Sequence, residues 1–178
     1  MTLSKRAATG IVVCAALLLG GCGPGATSIA ERICTTPAPA DAGERIDIDA
    51  ISLALPPGYT LRTDSRFKPG DVRLAGPDRA FDVVHGRWPD AAFRRGTRSA
   101  ECVAMADGIR VEVTVNTPPR TRPRDLAHLA AVIDYPARAS GHAGPQLLIS
   151  GYAHPADDAT IAQFAHVVAS VRKRVASN

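Results

Sequence analysis

The chain has 178 residues, 46% of them hydrophobic and 21% charged, with a formal net charge of +4. That length and apolar content let one domain bury a core without metals or several disulfides. So small a positive excess gives no support to a nucleic-acid partner.

Lys5 and Arg6 open the chain, and Ala7 to Leu19 is apolar apart from Thr9 and Gly10. A run of this length suits the core of a secretory signal and is too short to cross a bilayer as a helix. It ends in Leu19-Gly20-Gly21-Cys22. This stretch resembles the bacterial lipobox, in which a branched apolar residue stands three positions before a cysteine and small residues fill the gap. The resemblance implies a diacylglycerol thioether on Cys22, cleavage between Gly21 and Cys22, and acylation of the new amino terminus. Two or more acyl chains anchor stably, whereas one is marginal. Residue 23 is glycine rather than aspartate, so in a cell with two membranes the expected address is the periplasmic face of the outer membrane. The alternatives are a cleaved signal peptide with a chance cysteine, or an uncleaved anchor.

Taken as a lipoprotein signal, residues 1–21 leave a mature chain of 157 residues, with 19 basic and 17 acidic side chains. Cys14 departs and Cys22 is lipidated, so Cys34 and Cys102 remain in a compartment where disulfides persist. One bridge between them is expected; two buried free thiols are the alternative. Residues 22–44, rich in Ala, Pro, Gly and Thr, read as a tether too poor in large apolar groups to pack, with at most a helical turn over Ser28 to Ile33. Residues 45–178 read as a single α+β domain.

The domain opens with Ile46, Ile48, Ile51, Leu53 and Leu55 at strand spacing, and Pro56-Pro57-Gly58 closes that strand with a turn. Tyr59 and Leu61 resume a partner strand. Asp71 to Ala75 and Arg79 to His85 form a hairpin around Gly76-Pro77-Asp78. Trp88-Pro89-Asp90 starts a short helix through Phe93, or an irregular excursion. Glu101 to Met105 and Ile109 to Thr117 flank Ala106-Asp107-Gly108 as a second hairpin. From Asp125 as N-cap, Leu126, Leu129, Ala130 and Ile133 follow i, i+3, i+4, i+7, which predicts a helix to about Tyr135. Gln146 to Tyr152 form another strand. A last helix begins at Asp157, with Ile161, Phe164, Val168, Val171 and Val175 on its inner face and Arg172 to Arg174 at its far end.

Hairpins first and helices late predict an α+β fold, an antiparallel sheet with two helices on one face. The opening Ile51-Ser52-Leu53-Ala54-Leu55-Pro56-Pro57-Gly58-Tyr59, the ending Ile149-Ser150-Gly151-Tyr152, then Phe164 and Ala169-Ser170-Val171-Arg172, are similar to Mog1/PsbP-like domains. That resemblance implies an accessory or assembly module without catalysis, and it carries over no functional residue.

Candidate chemistry is sparse. His128 and His166 fall off their predicted apolar stripes and read as surface residues. Asp82 and His85 fall on opposite faces of one strand. Tyr59, Tyr152 and Trp88 read as core or rim packing rather than a pocket lining. Neither Ser150 nor Ser140 sits in a nucleophile elbow, and Cys34 and Cys102 do not form a C-x-x-C redox pair. His142, His154 and Asp157 flank one strand and make the best acid–base group, suited to a small hydrolase. Arg94, Arg95 and Arg98, with Arg120, Arg122 and Arg124, form two patches able to meet anionic lipid. No cofactor and no metal site is expected. The leading expectation is therefore a lipid-anchored accessory or binding module of the cell envelope, partnered by the membrane through Cys22 and by an envelope protein or anionic lipid. The alternative is the small envelope hydrolase.

Overall fold

Ile29, Ala30 and Ile33 recur at helical spacing, and in the computed structural model of the chain they line the buried face of a ten-residue helix, α1 (Ala26–Thr35). The structure describes residues 25–40, 43–48, 50–63, 71–86, 98–117, 126–134 and 146–174. Helix α1 corrects the tether reading of residues 22–44. Ala26, Ile29, Ala30 and Ile33 belong to the main core, and the helix packs on two strands of the larger sheet and on the second helix. Four apolar side chains at the right spacing outweigh a composition that is otherwise small and polar.

Two antiparallel sheets follow. The smaller joins β1 (Arg45–Ile48), β2 (Ile51–Ala54) and β10 (Arg172–Lys173) in the order β1-β2-β10. The larger contains β3 (Thr60–Arg62), β4 (Val72–Ala75), β5 (Ala80–Gly86), β6 (Arg98–Ala106), β7 (Ile109–Thr117), β8 (Ala127–Asp134) and β9 (Gln146–Ala153). Its order is β3-β4-β5-β9-β8-β7-β6, so the chain leaves β5 for the far edge and meanders back until β9 closes on β5. The second helix, α2 (Asp158–Ala169), completes the fold. The α+β class expected from the sequence is the one observed.

Turn chemistry sets the hairpins. In the β6–β7 turn Ala106 pairs with Ile109, so Asp107 and Gly108 alone make the connection, at φ of 52° and 72°. Two successive positive φ values suit a two-residue hairpin whose twist matches that of its strands. At Pro56-Pro57-Gly58-Tyr59 the Tyr59 amide donates to the Pro56 carbonyl at 3.0 Å, and Gly58 takes φ 80°. Proline then glycine at the two central positions is the type II pattern.

Residues 126–134 form β8 rather than the predicted helix. The same stretch carries a two-residue period, since Ala127, Leu129, Ala131 and Ile133 are all fully buried toward the helices. Ala130, on the opposite face, is also buried. The small Ala130 beside Leu129 and Ile133 is what mimics a helical stripe, while His128 and Val132 on its own face are only half-buried. Pairing with β7 and β9 on its two sides decides between the readings. The last helix is also shorter than predicted. It stops at Ala169, where the Ser170 hydroxyl donates to the Val167 carbonyl at 2.7 Å and accepts the Ala54 amide at 2.9 Å. Arg172 and Lys173 then extend along β2 instead of continuing the helix. The predicted cap at Asp125 and the segment from Trp88 to Phe93 lie outside the described residues.

The Cys34 and Cys102 sulfurs stand 2.01 Å apart, at disulfide distance, across a separation of 68 residues. They join the last turn of α1 to the edge strand β6. Arg32 of α1 also donates to Asp158 of α2 at 2.6 Å, although both side chains are exposed and the pair contributes little.

Two outcomes are expected in denaturant unfolding. Ile33→Ala, which empties a fully buried site in α1, should cost about 2–5 kcal/mol; a change below about 0.5 kcal/mol would mean that the segment is a tether after all. Reducing the Cys34–Cys102 pair should lower stability by on the order of 4 kcal/mol, the chain-entropy value for so long a loop.

Candidate functional site

Tyr59 is the side chain on which the strand, hairpin and helix elements converge. The type II turn delivers it into the core, where it is 5% exposed and stacks on Phe81 with ring centroids 5.4 Å apart and planes within 11°. Phe81 in turn meets Phe164 of α2 edge-on at 5.4 Å. Such offset and edge-on pairs add to the area they bury. Gly76 makes room for the phenol, because a Cβ there would lie 2.5 Å from Cε2 and Cζ of Tyr59. The hydroxyl donates to Oε1 of Gln163, one turn into α2, at 2.9 Å. Burial, with the Asp157 carboxylate nearby, pushes the phenol above its ordinary pKa, so it stays protonated and donating.

Tyr59 lines two clefts. The first, about 360 Å³, is walled by Pro77, Asp78 and Arg79 of the β4–β5 turn and by Asp157, Thr160 and Gln163 of α2. The second, about 370 Å³, is walled by Glu44, Leu55, Pro56, Pro57 and His166. Both volumes lie in the range of small-molecule sites. One wall set is polar and charged, and the other is largely apolar, with the Glu44 carboxylate and the His166 imidazole as its ionisable groups.

Asp157 is committed to capping α2. Its carboxylate accepts the Thr160 amide at 3.0 Å and the Thr160 hydroxyl at 2.7 Å. Those two bonds hold its pKa below the ordinary carboxylate value. Arg79 Nε lies 4.0 Å away, at the limit of an ion pair. In the second cleft, Nε2 of His166 is buried and has no hydrogen-bond partner among the described residues. Burial lowers the pKa of this imidazole, which favours the neutral ring.

The residues singled out from the sequence are distributed otherwise. His154 and Asp157 share the turn that begins α2: the Asp157 amide donates to the His154 carbonyl at 2.8 Å, and His154 Nδ1 accepts the Ala156 amide at 3.2 Å. His142 lies outside the described residues, as do Cys22, Arg94, Arg95, Arg120, Arg122 and Arg124, and for Arg98 only the backbone, in β6, is described. No group of three or more potential metal ligands occurs among the described residues. Two histidines differ from expectation. His128 sits in β8 beside Tyr152, with centroids 5.0 Å apart, and burial lowers its pKa. His166 faces a cleft rather than open solvent. Each lies off a helical stripe in the sequence, and for His128 that helix is replaced by β8. The Pro-Pro-Gly turn before Tyr59 was legible in the sequence, but the burial of its ring against Phe81 was not. Nothing in the sequence placed Gln163 or His166 beside it.

Neither a protein-family model nor a curated protein matches the chain. Among solved structures, it is similar to the solution structure of cyanobacterial PsbP (CyanoP) from Synechocystis sp. PCC 6803. The TM-score is 0.47 at 13% identity, over 74% of this chain and 92% of that one. No residue role is carried over from it.

The two histidines give the stability a pH dependence of definite sign. Their folded pKa values lie below the unfolded value of 6.5. Between those limits the unfolded chain binds more protons, so stability is full above about pH 6.5 and falls as the pH drops below it. The urea midpoint should therefore be lower at pH 5.5 than at pH 7.5, and His128→Gln with His166→Gln should flatten that slope. Asp157 acts in a separate, more acidic window, losing its contribution as pH falls from the unfolded value of 3.8 through its lower folded value.

Proposed function

We propose that this protein is a lipid-anchored, non-enzymatic binding or accessory module of the cell envelope, held by acyl chains on Cys22 and binding through the clefts beside Tyr59. In a cell with two membranes it faces the periplasm from the outer membrane. The lipobox-like Leu19-Gly20-Gly21-Cys22 supports the anchor. The observation that carries the binding role is the pair of clefts, about 360 and 370 Å³, sharing one rigidly held tyrosine. One mainly polar and one mainly apolar cleft, both lined by that ring, suit a small amphipathic ligand with a hydrogen-bonding head. Disulfide pairing of Cys34 with Cys102 fits the oxidising compartment this address implies.

The alternative, a small envelope hydrolase, needs His142, which lies outside the described residues. Its carboxylate, Asp157, accepts two hydrogen bonds from Thr160 at the start of α2.

Two measurements test the proposal. Cell fractionation should find the wild-type chain in the membrane and Cys22→Ser in the soluble fraction; retention of the variant in the membrane would overturn the anchor. Native mass spectrometry of the detergent-extracted protein should show a co-purifying small molecule. That molecule should be lost in Ala159→Trp or Pro57→Trp, which fill one cleft each from exposed wall positions. Equal retention in both variants would remove the clefts from the function.

A further inference from the structure

If Cys22 carries the lipid, the distance from the membrane to the folded body depends on where the fold begins. A tether over residues 22–44 would behave as a flexible coil with a root-mean-square span of about 25 Å and a far longer maximum reach. The structure begins the fold much earlier. Ala26, the first residue of α1, is only 7% exposed and already belongs to the core. Only Gly23, Pro24 and Gly25 separate it from Cys22. Four Cα steps reach at most about 14 Å.

The helix that receives this short leash is secured along its length. Ile29 and Ile33 are fully buried, and Cys34 stands at disulfide distance from Cys102 of β6. A pull on the N-terminus of α1 is thus resisted by a core contact at the first residue and by a covalent staple in the last turn. The first turn carries no acidic side chain, and its exposed positions are Gly25 and Thr27; the exposed acids nearest along α1 are Glu31 and, paired with Arg32, Asp158 of α2.

We propose that the face of the domain around the start of α1 is a membrane-apposed surface, held within about 14 Å of the lipid head groups by the three-residue leash and by α1 acting as the clamp between lipid and fold. The partner is the bilayer that receives the acyl chains. The proposal rests on lipidation of Cys22, and it replaces a freely ranging tethered domain with one whose orientation to the membrane is restricted.

Neutron reflectometry on a supported phosphatidylethanolamine/phosphatidylglycerol bilayer carrying the native lipidated protein reads the gap directly. The expected profile has the protein layer within about 14 Å of the head groups. A variant with a twenty-residue Gly/Ser insertion between Pro24 and Gly25 should open a hydrated gap, widening it by on the order of 20 Å. A wild-type gap as wide as that of the insertion variant, on a bilayer that retains the protein, would overturn the clamp while leaving the anchor intact. Mass analysis of the N-terminal peptide separates the other failure: an unmodified Cys22 with no retention removes the anchor, and this proposal with it.

Discussion

The larger sheet sets the requirement that the rest of the molecule satisfies. Seven strands at about 4.8 Å spacing span roughly 30 Å, and their inner face carries Leu74, Phe81, Val83, Val111, Val113, Val115, Leu129, Ile133, Leu147 and Ile149, all essentially unexposed. A twelve-residue helix such as α2 is about 18 Å long and 10 Å wide. It cannot close such a face alone. Helix α1 lies over β6 and β7 and beside α2, which also contacts β2 and β9. The N-terminal segment is therefore part of the enclosure of the core, and its sequence had to supply Ile29 and Ile33 to serve there.

The small sheet is braced to the end of α2 by Arg45. Its guanidinium donates to the Ser52 hydroxyl at 3.0 Å and to the Ser52 and Ser170 carbonyls at 2.9 Å each. Nη1 is buried without a hydrogen-bond partner among the described residues. Burial, and then the neighbouring Arg172, disfavour its charge. The arrangement ties the end of α2 to β2, and its bond to the Ser170 carbonyl uses an acceptor that a helix continuing past Ser170 would consume. A polar brace at this junction accounts for the three-residue run Arg172 to Arg174 being strand and tail rather than the last turn of a helix. On the other flank, Arg73 and Asp82 face each other in register across β4 and β5 and form a two-pronged pair at 2.6 and 3.1 Å.

Much of this was readable from local pattern. Alternation in Ile109 to Thr117, the Asp107-Gly108 turn, the hairpin around Gly76-Pro77-Asp78 and the acidic start of α2 each follow from chemistry confined to a few neighbouring residues. The number of helices expected on the sheet was also two, but one of them was assigned to the wrong stretch. Residues 126–134 satisfy both a helical and a strand period, and only their position between β7 and β9 selects the strand. Residues 26–35 look like linker by composition, and only the uncovered face over β6 and β7 gives their four apolar side chains something to bury against. The candidate site was hidden for the same reason. Tyr59 and Gln163 are 104 residues apart, and no local rule brings a turn residue to a helix face.

By itself, the sequence determined the β4–β5 and β6–β7 hairpins, their turn residues, the α+β class and the pattern at Leu19 to Cys22, because each depends on short-range backbone preference or a contiguous motif. It did not show that Ile46 to Leu55, read as one strand, folds back as the β1–β2 hairpin, or that β3 pairs with β4. The tertiary structure decided which ambiguous stretch became helix, where α2 stops, and that one tyrosine lines two clefts. It also decided that packing into the core already begins at Ala26. These outcomes turn on which apolar faces remain to be covered once the sheet has formed, and that is a property of the whole chain.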